Sequence, residues 1–198
     1  MRKRKGEATR ERIVEQTANL LNREGYLRTP VSEIMRVTGM QKGGIYNHFE
    51  SREALTLEAF NFAFARMRDF LLAALQGKST AADKLCALVE AFRCGAECSE
   101  AYDGGCPIAN LAIESDDADP RLRAAAREAM ARLIGLFERV IAEGVQRGEF
   151  AKGDARARAI QLVASLEGGL LLSNLYKDPS YLDGVSARLK QDIRGGLR

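Results

Sequence analysis

Two adjacent glycines, Gly43 and Gly44, sit inside a short apolar repeat, and no other feature restricts the fold of this chain as much. Ile45 and Phe49 lie one helical turn apart and predict a short helix over residues 41–49, anchored inward by those two side chains. Each glycine costs roughly 1 kcal/mol of helix propensity, and packing within a bundle gives no return for it. Glycine does offer a slim outer face and close approach of the backbone to something outside the chain. Upstream, Val31, Ile34 and Met35 form the buried face of a second short helix, with Pro30 at its first position and Thr29 placed to cap it. Thr38-Gly39-Met40 makes the turn between the two, Gly39 being free to take positive φ. Two short helices about a tight glycine turn form a unit whose second helix can enter a DNA major groove, about 12 Å wide.

The polar side of that helix carries the chemistry this role needs. With Ile45 and Phe49 inward, Lys42, Gly43, Tyr46 and Asn47 point away. Lys42 suits a phosphate or a guanine edge, Gln41 a base edge, and Tyr46 and His48 can bond phosphates. Arg52 begins the next helix, where its charge and the nearby backbone N–H groups suit a phosphate. Charge is distributed to match. Residues 1–52 hold 11 Lys/Arg against 6 Asp/Glu, whereas the remainder holds 19 against 21. A small basic part followed by a larger, slightly acidic one points the first part toward a polyanion. Much of the excess lies in Arg2, Lys3, Arg4 and Lys5, a tail that either reaches DNA or simply solubilises the chain.

Strand signals are almost absent, and Ala, Leu, Glu and Arg are abundant, so the expected fold is all-α. A first helix is predicted over residues 8–24, stopped by Gly25, and a long fourth one over 52–76, capped by Ser51. Beyond the break at Gly77 the pattern is a helical bundle. Helices are expected over 80–97, from the Gly-rich loop at 103–105 through 113, from 120 to near 148 with Asp119 as cap, over 154–176, and from Pro179 to near 193. The division drawn from this is an N-terminal three-helix part with the helix-turn-helix over 1–52 and a C-terminal helical bundle over 53–198, to which the resemblance given next assigns a DNA-binding domain and a ligand-binding and dimerisation domain.

The stretch RERIVEQTANLLNREGYLRTPVSEIMRVTGMQKGGIYNHFESREAL resembles the TetR family of bacterial repressors, above all in KGGIYNHFESREAL. The resemblance spans about the first quarter of the chain. It implies three helices docking on DNA, a helical ligand domain, and dimerisation through the last two helices. By position, Thr29, Gln41, Lys42, Gly43, Tyr46, His48 and Arg52 match that family's DNA contacts. Pro30 stands where Thr or Ser is common, removing one possible phosphate bond, and Arg52 where Lys is usual, keeping the charge. A pair of readers implies a pseudo-palindromic double-stranded operator with half-sites about one DNA turn apart. For the dimer surface the sequence offers Ile160, Val163, Leu166, Leu170 and Leu171 beside Gly168 and Gly169, together with Tyr181, Leu182, Val185 and Leu189. The same residues would equally complete a protomer core.

Gly105-Cys106-Pro107-Ile108-Ala109-Asn110-Leu111 resembles a motif of a TetR subset, some of whose members respond to electrophiles or oxidants through the cysteine. Cys106 at a helix start makes a sensor thiol conceivable, and a small buried turn residue is the alternative. Phe64, Met67, Leu71, Phe92, Cys106 and Asn110 are the expected wall of a cavity for a small-molecule inducer, an electrophile being one candidate class. No cofactor or metal is expected: Cys94, Cys98 and Cys106 lack a dedicated fourth zinc ligand. An enzyme is disfavoured because the single histidine, His48, falls in the reader, leaving no base for a nucleophile in the larger part. No run approaches the 18 or so apolar residues that cross a bilayer, and the N-terminus is charged, so no membrane partner and a cytoplasmic location are expected. The reading is a ligand-responsive dimeric repressor, released by a small molecule or by thiol modification. A helical protein–protein adaptor without DNA activity is the alternative.

Overall fold

The computed structural model describes residues 5–97, 104–115 and 119–197, and every regular element among them is a helix. The chain separates into two compact units. The first comprises residues up to 66 together with 102–127, and the second comprises 67–101 and 128 onward. Arg2, Lys3, Arg4, Cys98 and Asp103 lie outside the described residues.

The first unit contains α1 (Lys5–Glu24), α2 (Val31–Thr38), α3 (Lys42–Tyr46), the start of α4 (Arg52–Ala73) and α6 (Pro107–Ser115), and the first residues of α7 (Pro120–Gln146). Its core joins Ile13, Val14 and Leu20 of α1 to Ile34, Ile45, Phe49 and Leu55, with Met35, Met40 and Phe62 packed around them. Burying each such side chain contributes about 1.5–3 kcal/mol, and this collapse holds helices as short as α2 and α3, which are too short to persist alone. Gly39 takes the left-handed conformation at φ 65°, ending α2 as the turn requires. Ser51 caps α4 by accepting from the Ala54 amide, and Asp119 caps α7 by accepting from the Arg121 amide at 2.8 Å.

Local departures from the sequence reading have local causes. α3 ends at Tyr46 rather than Phe49, because the Asn47 and His48 amides turn back to Gly43 and Ile45 carbonyls while Phe49 still drops into the core. Thr29 does not cap α2: Pro30 occupies that position, and no side chain caps the helix. α4 ends at Ala73, three residues early, in a run of turns that closes at Gly77.

The second unit contains the end of α4, α5 (Ala81–Glu97), most of α7, α8 (Ala155–Tyr176) and α9 (Ser180–Arg194). α9 packs on both α8 and α5. Asp154 starts α8 by accepting from the Arg156 and Ala157 amides. Of the residues proposed for a dimer face, Val163, Leu166, Leu170, Leu182 and Leu189 are buried within this unit. Gly169 lets α8 approach α9, since a Cβ there would stand 3.3 Å from Leu182 Cα. Ile160, Leu171, Leu172, Leu175, Tyr176 and Tyr181 remain exposed, with the Tyr176 and Tyr181 rings stacked 5.1 Å apart.

Candidate nucleic-acid interface

α3 presents one apolar and one polar side. Ile45 is buried, whereas Gln41, Lys42, Gly43 and Asn47 are exposed, and Tyr46 and His48 are half-buried. A Cβ built on Gly43 would meet no atom of the chain within 4 Å, so the protein's own packing does not demand glycine there. The helix is fixed from behind. The Arg12 guanidinium donates to the Thr38 carbonyl at 3.0 Å, tying α1 to the last residue of α2. Arg10 lies 4.8 Å over the Phe49 ring and pairs with Glu58 of α4. These arginines add to the positive character of the unit while their head groups hold the frame on which α3 sits.

Thr29 and Arg52 depart from their expected role. Thr29 is 3% exposed, and its hydroxyl donates to the Gly25 carbonyl at 2.6 Å. Arg52 Nη2 faces the carbonyls of Tyr26, Leu27 and Thr29 at 3.1, 3.0 and 2.8 Å. Hydrogen bonds from a charged donor contribute about 1.5–3 kcal/mol, so this nitrogen of the guanidinium is committed to the α1–α2 loop. Both residues shape the entry to α2. Position in the sequence carried no information on which way their side chains turn.

The residues expected to line an inducer cavity divide between the units. Phe64, Cys106 and Asn110 belong to the first, and Met67, Leu71 and Phe92 to the second. Phe64 stacks on Phe60, and Cys106 is 2% exposed. Met67, Leu71 and Phe92 are buried core residues of their unit. Asn110 has a different task. Its Nδ2 donates to the Asn22 carbonyl at 3.0 Å, to Asn22 Oδ1 at 3.1 Å and to the Gly104 carbonyl at 3.1 Å. Asn22 Nδ2 in turn donates to the Gly105 carbonyl at 2.9 Å. Gly104, at φ 92°, passes so close to α1 that a Cβ would stand 2.6 Å from the Asn22 carbonyl oxygen. The Gly-Gly-Cys-Pro-x-x-Asn segment therefore docks α6 on the C-terminal end of α1.

Sequence reasoning missed Asn22, Tyr26 and Glu114 in this network. Tyr26 is fully buried, with its hydroxyl donating to Asn22 Oδ1, and burial pushes its phenol well above the ordinary value. The available signal was Asn22 itself, a weak helix former one turn before the Gly25 stop. Among the described residues no group of His, Cys, Asp and Glu is placed to hold a metal ion, and no helix is long and apolar enough to cross a membrane.

A reader helix with an exposed polar face, seated across a glycine turn from a supporting helix, defines a helix-turn-helix DNA-binding regulator of transcription. Residues 13–59 match the family model described as "Bacterial regulatory proteins, tetR family", and residues 81–189 match "Tetracyclin repressor-like, C-terminal domain". A TetR transcriptional regulator from Chloroflexus aurantiacus superposes with a TM-score of 0.91 at 38% identity, covering 96% of each chain. A TetR-family regulator from Cytophaga hutchinsonii gives a TM-score of 0.90 at 31% identity over 98% of each. The HTH-type transcriptional regulator LmrA of Bacillus subtilis is 27% identical over 180 residues, 90% of this chain and 93% of its own. The chain belongs to the TetR family of transcriptional regulators.

Proposed function

We propose that the protein is a dimeric, cytoplasmic repressor that binds a pseudo-palindromic operator and is released by a small ligand. The observation that carries the DNA-reading part is the outer face of α3: Gln41, Lys42, Gly43 and Asn47 are exposed, and a Cβ on Gly43 would project into open space. In this reading Lys42 meets a phosphate or guanine edge and Gln41 or Asn47 a base edge, while Tyr46 and His48 bond phosphates. Thr29 and Arg52 support the reader from behind. Residues 1–52 read DNA, and 53–198 bind the ligand and the second copy. The likeness of residues 81–189 to a tetracyclin repressor-like C-terminal domain favours repression over activation.

Dimerisation is supported by Ile160, Leu171, Leu172, Leu175, Tyr176 and Tyr181, six large apolar side chains left exposed on or beside α8. Exposed apolar side chains gathered on one pair of helices favour an interaction surface, and two readers on a two-fold axis need one. For release, a ligand that favours a non-binding state by about 1–3 kcal/mol lowers operator affinity 5- to 150-fold. Cys106, at 2% exposure, favours a reversible pocket ligand over modification of that thiol, because a reagent must first open the site. If an electrophile does act there, C106S abolishes release by it.

The test is operator binding to DNA from the protein's own upstream region, followed by anisotropy across a salt series. Tight binding that weakens linearly in log–log form as salt rises supports phosphate contacts. No binding at low salt favours the adaptor reading.

A further inference from the structure

Glu114, next to last in α6, holds the loop between α1 and α2. Its Oε1 accepts from the Tyr26 amide at 3.0 Å and its Oε2 from the Leu27 amide at 2.9 Å. Two successive amides converging on one anion form a nest, and Gly25 opens it by turning to φ 109°. A Cβ at Gly25 would stand 2.9 Å from Arg28 Nε and 3.1 Å from both carboxylate oxygens, so the guanidinium and the carboxylate together fill the space that an ordinary side chain would need. On the other side, Arg52 holds the carbonyls of Tyr26, Leu27 and Thr29. The peptide joining Tyr26 to Leu27 is thus gripped at both ends, its N–H by an anion and its carbonyl by a cation. Such a chain of charge-assisted bonds polarises and stiffens the peptide between them. Three residues after Leu27, Pro30 starts α2. All these residues belong to the first unit.

We propose that Glu114 is a positioning residue for the helix-turn-helix: its carboxylate fixes the Gly25–Leu27 turn, and through it the placement of α2 and α3. This rests on the DNA-reading role proposed above. The grip is specific to a carboxylate, since glutamine keeps the shape but presents one acceptor and turns an NH2 group toward the second amide.

The test is amide hydrogen exchange on the full chain, with operator affinity measured in parallel. In E114Q, exchange at Tyr26 and Leu27 rises at least about tenfold. Ile34 and Ile45 follow in the same direction by a smaller factor, Leu20 and Leu21 keep their protection, and operator affinity falls about 5- to 30-fold. G25A crowds Arg28 and the same carboxylate and strains the backbone at φ 109°, so it loosens the turn as well, and E114Q is the variant that decides. Unchanged exchange at Tyr26 and Leu27 in E114Q overturns the proposal. So does faster exchange there with α2 and α3 undisturbed. A wild-type chain that binds no operator sinks the DNA reading by itself, and exchange in α2 and α3 still decides the clamp.

Discussion

The Arg12 guanidinium donates to the Thr38 carbonyl at 3.0 Å, closing the end of α2 at the point where the chain turns toward α3. A cation at the C-terminal end of a helix meets both an orphan carbonyl and the negative end of the helix dipole. R12A is expected to destabilise the protein by about 1–2 kcal/mol and to loosen the seat of α3. Urea unfolding checks the first effect and operator affinity the second. R12K, which keeps the charge but not the planar donor, should fall between R12A and wild type.

Lys42 and Arg52 separate by salt dependence. Lys42 is exposed on α3, while Arg52 is bonded to three loop carbonyls. If Lys42 meets a phosphate, K42A lowers the slope of log affinity against log salt by about 1. R52A lowers affinity and thermal stability together, with the slope unchanged. Equal slope losses in the two variants would return Arg52 to the set of direct contacts.

Asn110 and Asn22 lock α6 to α1, and their loss should be felt as stability. N110A removes an NH2 group whose two hydrogens are shared among the Asn22 carbonyl, the buried Asn22 amide oxygen and the Gly104 carbonyl. The expected cost is about 1–3 kcal/mol by chemical denaturation. A cost near zero would mean that solvent replaces the amide and that the docking is apolar.

The architecture was legible from periodicity and punctuation. Ile45 and Phe49, Gly39, and the capping residues Ser51, Asp119 and Asp154 each act locally, so spacing alone located helices and turns. Of the outward set Lys42, Gly43, Tyr46 and Asn47 read from the wheel of one short helix, Lys42, Gly43 and Asn47 are exposed and Tyr46 is half-buried. Thr29 and Arg52 were illegible in orientation because their partners are loop carbonyls, which every residue possesses. Glu114 was missed for a related reason: it lies 88 positions from Tyr26, and a carboxylate on a helix has no sequence mark that distinguishes a nest from solvent. Periodicity identified Leu166, Leu170 and Leu171 of α8 without dividing the buried Leu166 and Leu170 from the exposed Leu171, and it passed over the exposed Leu175.

Glu90 gives the second unit an acid-sensitive tie. It joins Arg93 within α5 to Lys190 of α9, and these bonds, Arg93 first, hold its carboxyl down to about 2 from an ordinary 4.5. A depressed carboxyl contributes stability that is present above its unfolded value and lost as pH falls through the folded one. With Glu90 39% exposed, screening limits the contribution to about 1 kcal/mol. The stability gap between wild type and E90Q should therefore hold near neutral pH and close between about pH 5 and pH 2. A gap that persists at the acid end would assign the effect to packing.

The exposed apolar side chains of α8 call for a partner. L171E and L175E place a charge where Leu171 and Leu175 stand 60% and 68% exposed, so neither should lower protomer stability by more than about 0.5 kcal/mol. Sedimentation should show dimer becoming monomer, with operator affinity falling in step. Dimers that survive the double substitution would place the interface elsewhere.

G43L puts the central claim to its sharpest test, measured as operator affinity beside thermal stability. No atom of the chain lies within 4 Å of a Cβ there, and leucine favours a helix over glycine by somewhat under 1 kcal/mol, so stability should hold or rise. If α3 lies in the major groove, the added side chain meets DNA and affinity drops at least about tenfold, or 1.4 kcal/mol. A G43L protein that is as stable as wild type and binds its operator equally well would contradict the account.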